Sequence, residues 1–159
     1  MVTTYAKAGV DIDKEAESIK SLVDVVKKSF AFRKGKIGEP KAEIGHFANF
    51  VDFGDKYLVL SSDGVGTKVL VAQLANQYDT VGIDMIAMNV DDIICVGAEP
   101  IALVDYLAME RTDPDIMKEI GVGLLKGAEQ ANIVIVGGET ATLKDVIRGI
   151  DHKGFDLAG

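Results

Sequence analysis

The sequence predicts an α/β or α+β domain: a mixed sheet with helices packed on one of its faces. Three observations carry this. Apolar residues fill 48% of the 159 positions, enough for one packed core. Short apolar runs bounded by glycine, proline or acids alternate with longer stretches at helical spacing. The resulting order is helix, strand, helix, helix, strand, helix, strand, strand, an interleaving that favours a layered domain over a bundle or a sandwich.

The elements follow from local signals. Residues 14–30, "KEAESIKSLVDVVKKSF", place Ala16, Ile19, Leu22, Val23, Val26 and Phe30 on one helical face and charges on the other, with Asp13 as expected N-cap and Lys27 and Lys28 at the C-terminal end. Residues 31–46 mix basic residues, glycine and proline and read as a long loop. "YLVLSS" (57–62) reads as a strand, and a helix is expected from about Gly66 to Leu74. Asp79 and Thr80 open "VGIDMIAMNVDDIICVG", which Gly97 closes. "PIALVDYLAME" (100–110) reads as a long strand. "TDPDIMKEIGVGLLKGAEQAN" carries a cap at Thr112 or Asp113, Pro114 in its first turn, and a stripe of Met117, Ile120, Leu124, Ala128 and Ala131. "IVIVGGET" (133–140) reads as a buried strand running into a glycine turn. The tail "GFDLAG" reads as a strand barely started, so the chain is expected to be the first part of something longer, its residues 1–159 forming one domain.

Composition narrows the function. There are 25 acids against 17 bases, a net charge of −8, which argues against a general nucleic-acid surface. Tryptophan is absent and aromatics are 6%, so base-stacking platforms are poorly supplied. The single cysteine, Cys95, excludes an internal disulfide, suits a reducing cytoplasm and reads as a core thiol in its helix. No 18-residue apolar stretch occurs, and "MVTTYAKAGVDID" has no signal-peptide core. The expectation is a cytoplasmic protein without a membrane partner.

Three stretches carry possible chemistry. "SSDGVGTK" (61–68) sits between a strand and a helix. It fits neither the P-loop, because Lys68 follows Thr67 in the wrong order, nor the dinucleotide fingerprint, whose third glycine is missing. The physics still suits a phosphate and metal: Gly64 and Gly66 admit close backbone approach, the next helix opens with free N–H groups, Asp63 offers hard oxygen, and Lys68 offers a cation. The same residues equally serve as a tight turn with Asp63 as a cap. In residues 82–100 an apolar helix is interrupted by Asp84, Asn89, Asp91 and Asp92. At about 100° per residue, Asp84 and Asp91 share one face and Asn89 and Asp92 another. Acids on a buried helix are costly unless paired or bound to metal. "VGGETA" (136–141) ends a strand in Gly137, Gly138 and Glu139, where open sheets gather ligands. If Asp63, Asp92 and Glu139 converge, they form an oxygen-rich site for Mg²⁺ carrying a polyphosphate.

Taken together, "YAKAGVDID", "SSDGVGTK", "DTVGIDMIAMNVDDIICVGAEP", "VDYLA" and "VGGETA" resemble, in order and rough spacing, the phosphoribosylformylglycinamidine cyclo-ligases, also called aminoimidazole ribonucleotide synthetases. The resemblance runs from Tyr5 to the last residue and covers the N-terminal, ATP-binding half of the family's usual chain. It implies ATP and Mg²⁺ as cofactors, with Asp63, Asp92 and Glu139 as the metal acids. Gly64, Gly66, Thr67 and Lys68 would form the nucleotide or substrate loop. Asn89, Asp105, Gly137 and Gly138 would lie beside it. The implied reaction is ATP-dependent ring closure of a phosphoribosyl substrate, resting on positioning and charge neutralisation without a covalent nucleophile. The implied assembly is a homodimer pairing its N-terminal sheets. The alternatives are another member of the superfamily, chiefly thiamine-monophosphate kinase, or a dimerising ATP-binding module without turnover. Two stretches depart from the bacterial pattern: "EIGHFANF" stands where a glycine-rich loop is usual, with His46 as a loop residue, and "TLKD" follows "GGETA". His152 lies in a polar turn with no expected chemistry. The N-terminal loops lack the reactive cysteine of selenophosphate synthetase.

Overall fold

The computed structural model describes residues 11–159. The "YAKAGV" part of the first motif lies outside these. The chain forms two compact units, one up to Leu58 and one from Val59 to Gly159.

In the first unit, α1 (Ile12–Val26) continues into a 3₁₀ segment, Lys27–Arg33. Its N-cap is Asp11, two residues before the expected Asp13: the Asp11 carboxylate accepts from the Lys14 N–H at 3.2 Å. A hairpin follows the loop expected over residues 31–46. Strand β1 (Asn49–Asp52) pairs with β2 (Tyr57–Leu60), and the Phe50 and Tyr57 rings meet edge-on at 5.3 Å. Lys41 joins the hairpin through ion pairs to Glu39 and Asp52. The four residues of β1, polar at both ends, are too few to show a period-two pattern in sequence.

The second unit is built on β3 (Ala102–Met109), which pairs in parallel with β4 (Val134–Thr142) and antiparallel with β5 (Phe155–Ala158). The sheet is mixed, as expected. Parallel pairing of β3 and β4 requires a crossover, and α4 (Pro114–Ala131) supplies it. Asp113 caps α4, accepting from the Asp115 and Ile116 N–H groups. Helices α2 (Lys68–Ala75) and α3 (Val81–Cys95) precede the sheet. Both α2 and α4 end on an asparagine in the left-handed region, Asn76 and Asn132.

One face of the sheet is covered. Leu103, Leu107 and Met109 of β3 and Phe155 and Leu157 of β5 are buried with Val81, Met85 and Ile86 of α3 and Ile116, Ile120 and Ala128 of α4. Helices α3 and α4 approach closely because glycines line the seam. A Cβ on Gly82 would run into the α4 backbone at Gly123 and Leu124, and one on Gly123 would stand 2.8 Å from the Asp79 carbonyl. The opposite face is open: Val104, Tyr106, Val134 and Val136 are all exposed. This corrects the expectation that 133–140 is a buried strand. β4 is an edge strand whose apolar residues face outward. Cys95, expected in the core, is also exposed, at the last turn of α3.

Candidate functional site

The "SSDGVGTK" stretch is held from two sides. On one side it adds to the sheet: Gly64 bridges Ala158, the Val65 N–H donates to Leu157 O at 2.9 Å, and residue 63 exchanges both backbone hydrogen bonds with Gly159. A Cβ on Gly64 would stand 3.3 Å from Leu157 O, so the approach to β5 uses the missing side chain. On the other side, buried Asn89 of α3 grips the same peptide. Its Oδ1 accepts from the Asp63 N–H at 3.1 Å, and its Nδ2 donates to Asp63 O at 3.2 Å and Met85 O at 3.0 Å. Ser61 adds a hydrogen bond to Asn89 O. Asn89 was expected beside the ligand, but its amide is engaged with the backbone. It positions the loop.

Asp92 lies one turn after Asn89 on the same helix, and the clasp at residue 63 brings Asp63 near it. Partial burial first, and then the negative charges of Asp63 and Asp91, push the Asp92 carboxyl above the usual carboxylate range. Among the described residues neither Asp63 nor Asp92 forms an ion pair. The Asp63 carboxylate accepts from the Gly64 N–H at 2.7 Å, so it does not cap α2. That position belongs to Thr67, whose side chain makes no capping hydrogen bond. Gly66, at φ +67°, turns the chain in the left-handed region favoured by glycine. Lys68 is engaged with Asp84 at 2.6 Å, while its side chain remains 58% exposed.

Glu139 stands elsewhere. It pairs in register with Tyr106, which pairs with Ala158, which bridges Gly64. Three strand spacings separate the two ends of that row, about 14 Å between α-carbons. By the period-two alternation, Glu139 shares the open face with Tyr106, opposite Leu107 and Leu157 and the helices. Among the described residues no three Asp, Glu, His or Cys side chains assemble to hold an ion. Of the three acids expected to converge, Asp63 and Asp92 lie near each other, and Glu139 does not join them in this structure. Gly137 and Gly138 have other uses. Gly137 follows a bulge at Val136, and Gly138 lies under Asp105, whose carboxylate occupies the space a Cβ would take. Burial raises the Asp105 carboxyl above its ordinary range.

The donor set fits a hard divalent cation. Mg²⁺ is held by one or two carboxylates plus ligand phosphates far more often than by an all-protein cage. Two uncompensated carboxylates beside a glycine turn and a helix start meet that need. His152, for which no chemistry was expected, contacts the buried Glu110 carboxylate at 2.7 Å. With the Gly149 N–H it anchors the turn before β5, and the His152 contact is the main cause that lowers the Glu110 carboxyl.

A family model described as AIR synthase related protein, N-terminal domain, matches residues 45–154. The chain belongs to this family. Its match takes in the glycine turn, α3, β3 and β4, and leaves α1 and β5 outside. The protein named phosphoribosylformylglycinamidine cyclo-ligase from Thermococcus kodakarensis is 56% identical over 156 residues, covering 98% of this chain and 45% of that protein. The protein of the same name from Methanocaldococcus jannaschii is 58% identical over 158 residues, 99% of this chain and 43% of that one. The chain thus spans less than half the length of these curated relatives. Among solved structures, thiamine monophosphate kinase from Aquifex aeolicus superposes with a TM-score of 0.58 at 21% identity, covering 87% of this chain and 40% of that chain. A structure described as AaThiL complexed with AMPPCP and TMP superposes with a TM-score of 0.62 at 22% identity, covering 86% and 39%. At that identity the AIR synthase related fold is what is shared.

Proposed function

We propose that this chain is the Mg²⁺–ATP-binding half of a phosphoribosylformylglycinamidine cyclo-ligase, which closes formylglycinamidine ribonucleotide to aminoimidazole ribonucleotide in de novo purine biosynthesis. The observation that carries the reading is identity above one half, across nearly the whole chain, to proteins of that name. The thiamine-monophosphate kinase alternative has only the shared fold behind it.

In this reading Asp63 and Asp92 hold Mg²⁺, which supplies charge neutralisation to the phosphates of ATP when bound. Asn89 fixes Asp63 through its peptide. Gly64 and Gly66 keep the backbone open to the ligand, and the first turn of α2, from Thr67, presents N–H groups to it. Lys68 leaves Asp84 to meet a phosphate. Asp105, Gly137 and Gly138 form the neighbouring wall, and Glu139 lies on the open side of the sheet, apart from the two metal acids. That open face pairs with the same face of a second copy, a role that exposed Val104, Tyr106, Val134 and Val136 support. Sedimentation of the chain as a monomer at all concentrations would remove the dimer from this reading. We place the protein in the cytoplasm, as a purine enzyme with one cysteine; no described helix is long and apolar enough to cross a membrane.

The test is calorimetric titration of ATP, with and without Mg²⁺, into the wild-type chain and Asp92→Ala. Magnesium-dependent binding is expected in the wild type and a loss of about 100-fold or more in the variant. A folded wild-type chain that binds no Mg²⁺–ATP would overturn the placement of the nucleotide site in this half.

A further inference from the structure

The glycine turn at 63–67 is held by two arms, and the far ends of both arms meet at a second turn. One arm is α2, which starts directly after Thr67. The other is β5: Leu157 O accepts from the Val65 N–H, and Gly159, just beyond the strand, exchanges backbone hydrogen bonds with residue 63. The second turn, residues 149–154, leads into β5 and also touches the end of α2. Gln73 of α2, only 5% exposed, accepts from the Ile150 N–H through Oε1 at 2.8 Å. Asn76, which ends α2, accepts from Lys153 Nζ at 2.5 Å. Buried Glu110 holds the other side. Its carboxylate accepts from the Gly149 N–H at 3.0 Å and meets His152 Nδ1, and its own N–H donates to Gly154 O at 2.8 Å.

This second turn is strained and tightly closed. Asp151 at φ +50° and His152 at φ +61° are consecutive residues other than glycine in the left-handed region, a conformation that persists only where the surroundings impose it. Gly149 and Gly154 touch at its neck: a Cβ on Gly149 would run into Gly154 and into the Gln73 side-chain oxygen. Gln73 is buried beside Val69 and Ala72 on the inner face of α2, where an amide is costly unless it is hydrogen-bonded. Its partner lies 77 positions away, in the strained turn. We infer that Gln73 is a positioning residue for the glycine turn: its amide clamps residues 149–154 against α2 and so fixes the gap between α2 and β5 in which residues 63–67 sit. The coupling runs through packed elements and hydrogen bonds, without contact between Gln73 and the ligand. What the glycine turn binds rests on the Mg²⁺–ATP reading, whereas the clamp itself does not.

The test is amide hydrogen exchange at Asp63 and Val65, scaled to Ile86 of α3 in the same molecule so that global unfolding cancels. Gln73→Met keeps the side-chain length and removes the acceptor, and the scaled rate is expected to rise by about tenfold or more. Asn76→Gly keeps the left-handed helix end and removes the tie to Lys153, with a rise of about threefold expected. This surface variant carries the test if Gln73→Met does not fold. Ile133→Val trims the core at the opposite edge of the sheet and is expected to leave the scaled rate unchanged. Titration with Mg²⁺–ATP should then show binding about tenfold weaker in Gln73→Met and unchanged in Ile133→Val. An unchanged scaled rate in the folded clamp variants, or an equal rise in Ile133→Val, would overturn the clamp. A raised rate with unchanged Mg²⁺–ATP affinity would overturn its part in binding. If the wild type binds no Mg²⁺–ATP while the scaled rate still rises in Gln73→Met, the nucleotide reading fails and the clamp stands.

Discussion

The two ends of α3 carry acids in opposite circumstances. Near its start, Asp84 is 2.6 Å from Lys68, and the charge is answered within the protein. Two turns later, Asp92 faces Asp63 and Asp91, and its carboxyl is pushed up by partial burial and by their charge. The start of the helix is locked by the Gly82–Gly123 seam against α4, and the later part by Asn89 against the backbone of residue 63. One end of the helix is complete as it stands. The other holds like charges together through hydrogen bonds that do not neutralise them, an arrangement that favours a bound cation.

The comparison can be broken at its supports. The largest effect is expected from Gly123→Ala: the new methyl meets backbone at Asp79 and Gly82 that cannot move aside, and unfolding free energy should fall by about 3 kcal/mol in urea titrations. Next comes Asn89→Ala, which leaves one side of the residue 63 peptide without its buried partner. A loss of about 2 kcal/mol is expected. Because Asp63 is then held by β5 alone, Mg²⁺-dependent ATP affinity should also drop in the protein that remains folded. Unchanged affinity would show that β5 suffices to place the acid.

The charges themselves give smaller and opposite effects. Asp92→Asn should raise apo stability by about 0.5 kcal/mol, the scale of a partly exposed charge pair, while abolishing Mg²⁺ dependence. Asp84→Asn should lower stability by about as much or less and leave Mg²⁺ dependence intact. If Asp92→Asn destabilises, the two ends of α3 are not opposites and the metal reading weakens. The pH dependence has a definite sign. A carboxyl with a raised pKa in the fold binds its proton more tightly there than when unfolded, so stability falls as pH rises from the ordinary carboxylate range through the raised value. Asp92 and Asp105 contribute in this direction. Glu110 contributes oppositely: its carboxyl is lowered, so its stabilisation is present above the ordinary range and lost as pH falls below it. Urea melts from about pH 4 to 7 should show Asp92→Asn losing its share of the decline, and addition of Mg²⁺ cancelling that share in the wild type.

Much of this molecule was legible in one dimension. Periodicity and caps placed α1, α2, α3, α4 and the strands β2, β3 and β4 within a few residues, because these signals are local: a carboxylate at Asp113 reaches N–H groups two and three residues on. The family was legible as well, in motifs whose order survives without any knowledge of contacts. Tertiary structure decided the rest. No local pattern distinguishes a buried strand from an edge strand with an apolar open face, so β4 was misjudged. None shows that Asn89 would spend its amide on the peptide of a residue 26 positions away, or that the last five residues would hold the glycine turn. And spacing placed three acids at three junctions, but sheet register, which alternates faces with every residue, put Glu139 on the open side and left Asp63 and Asp92 together.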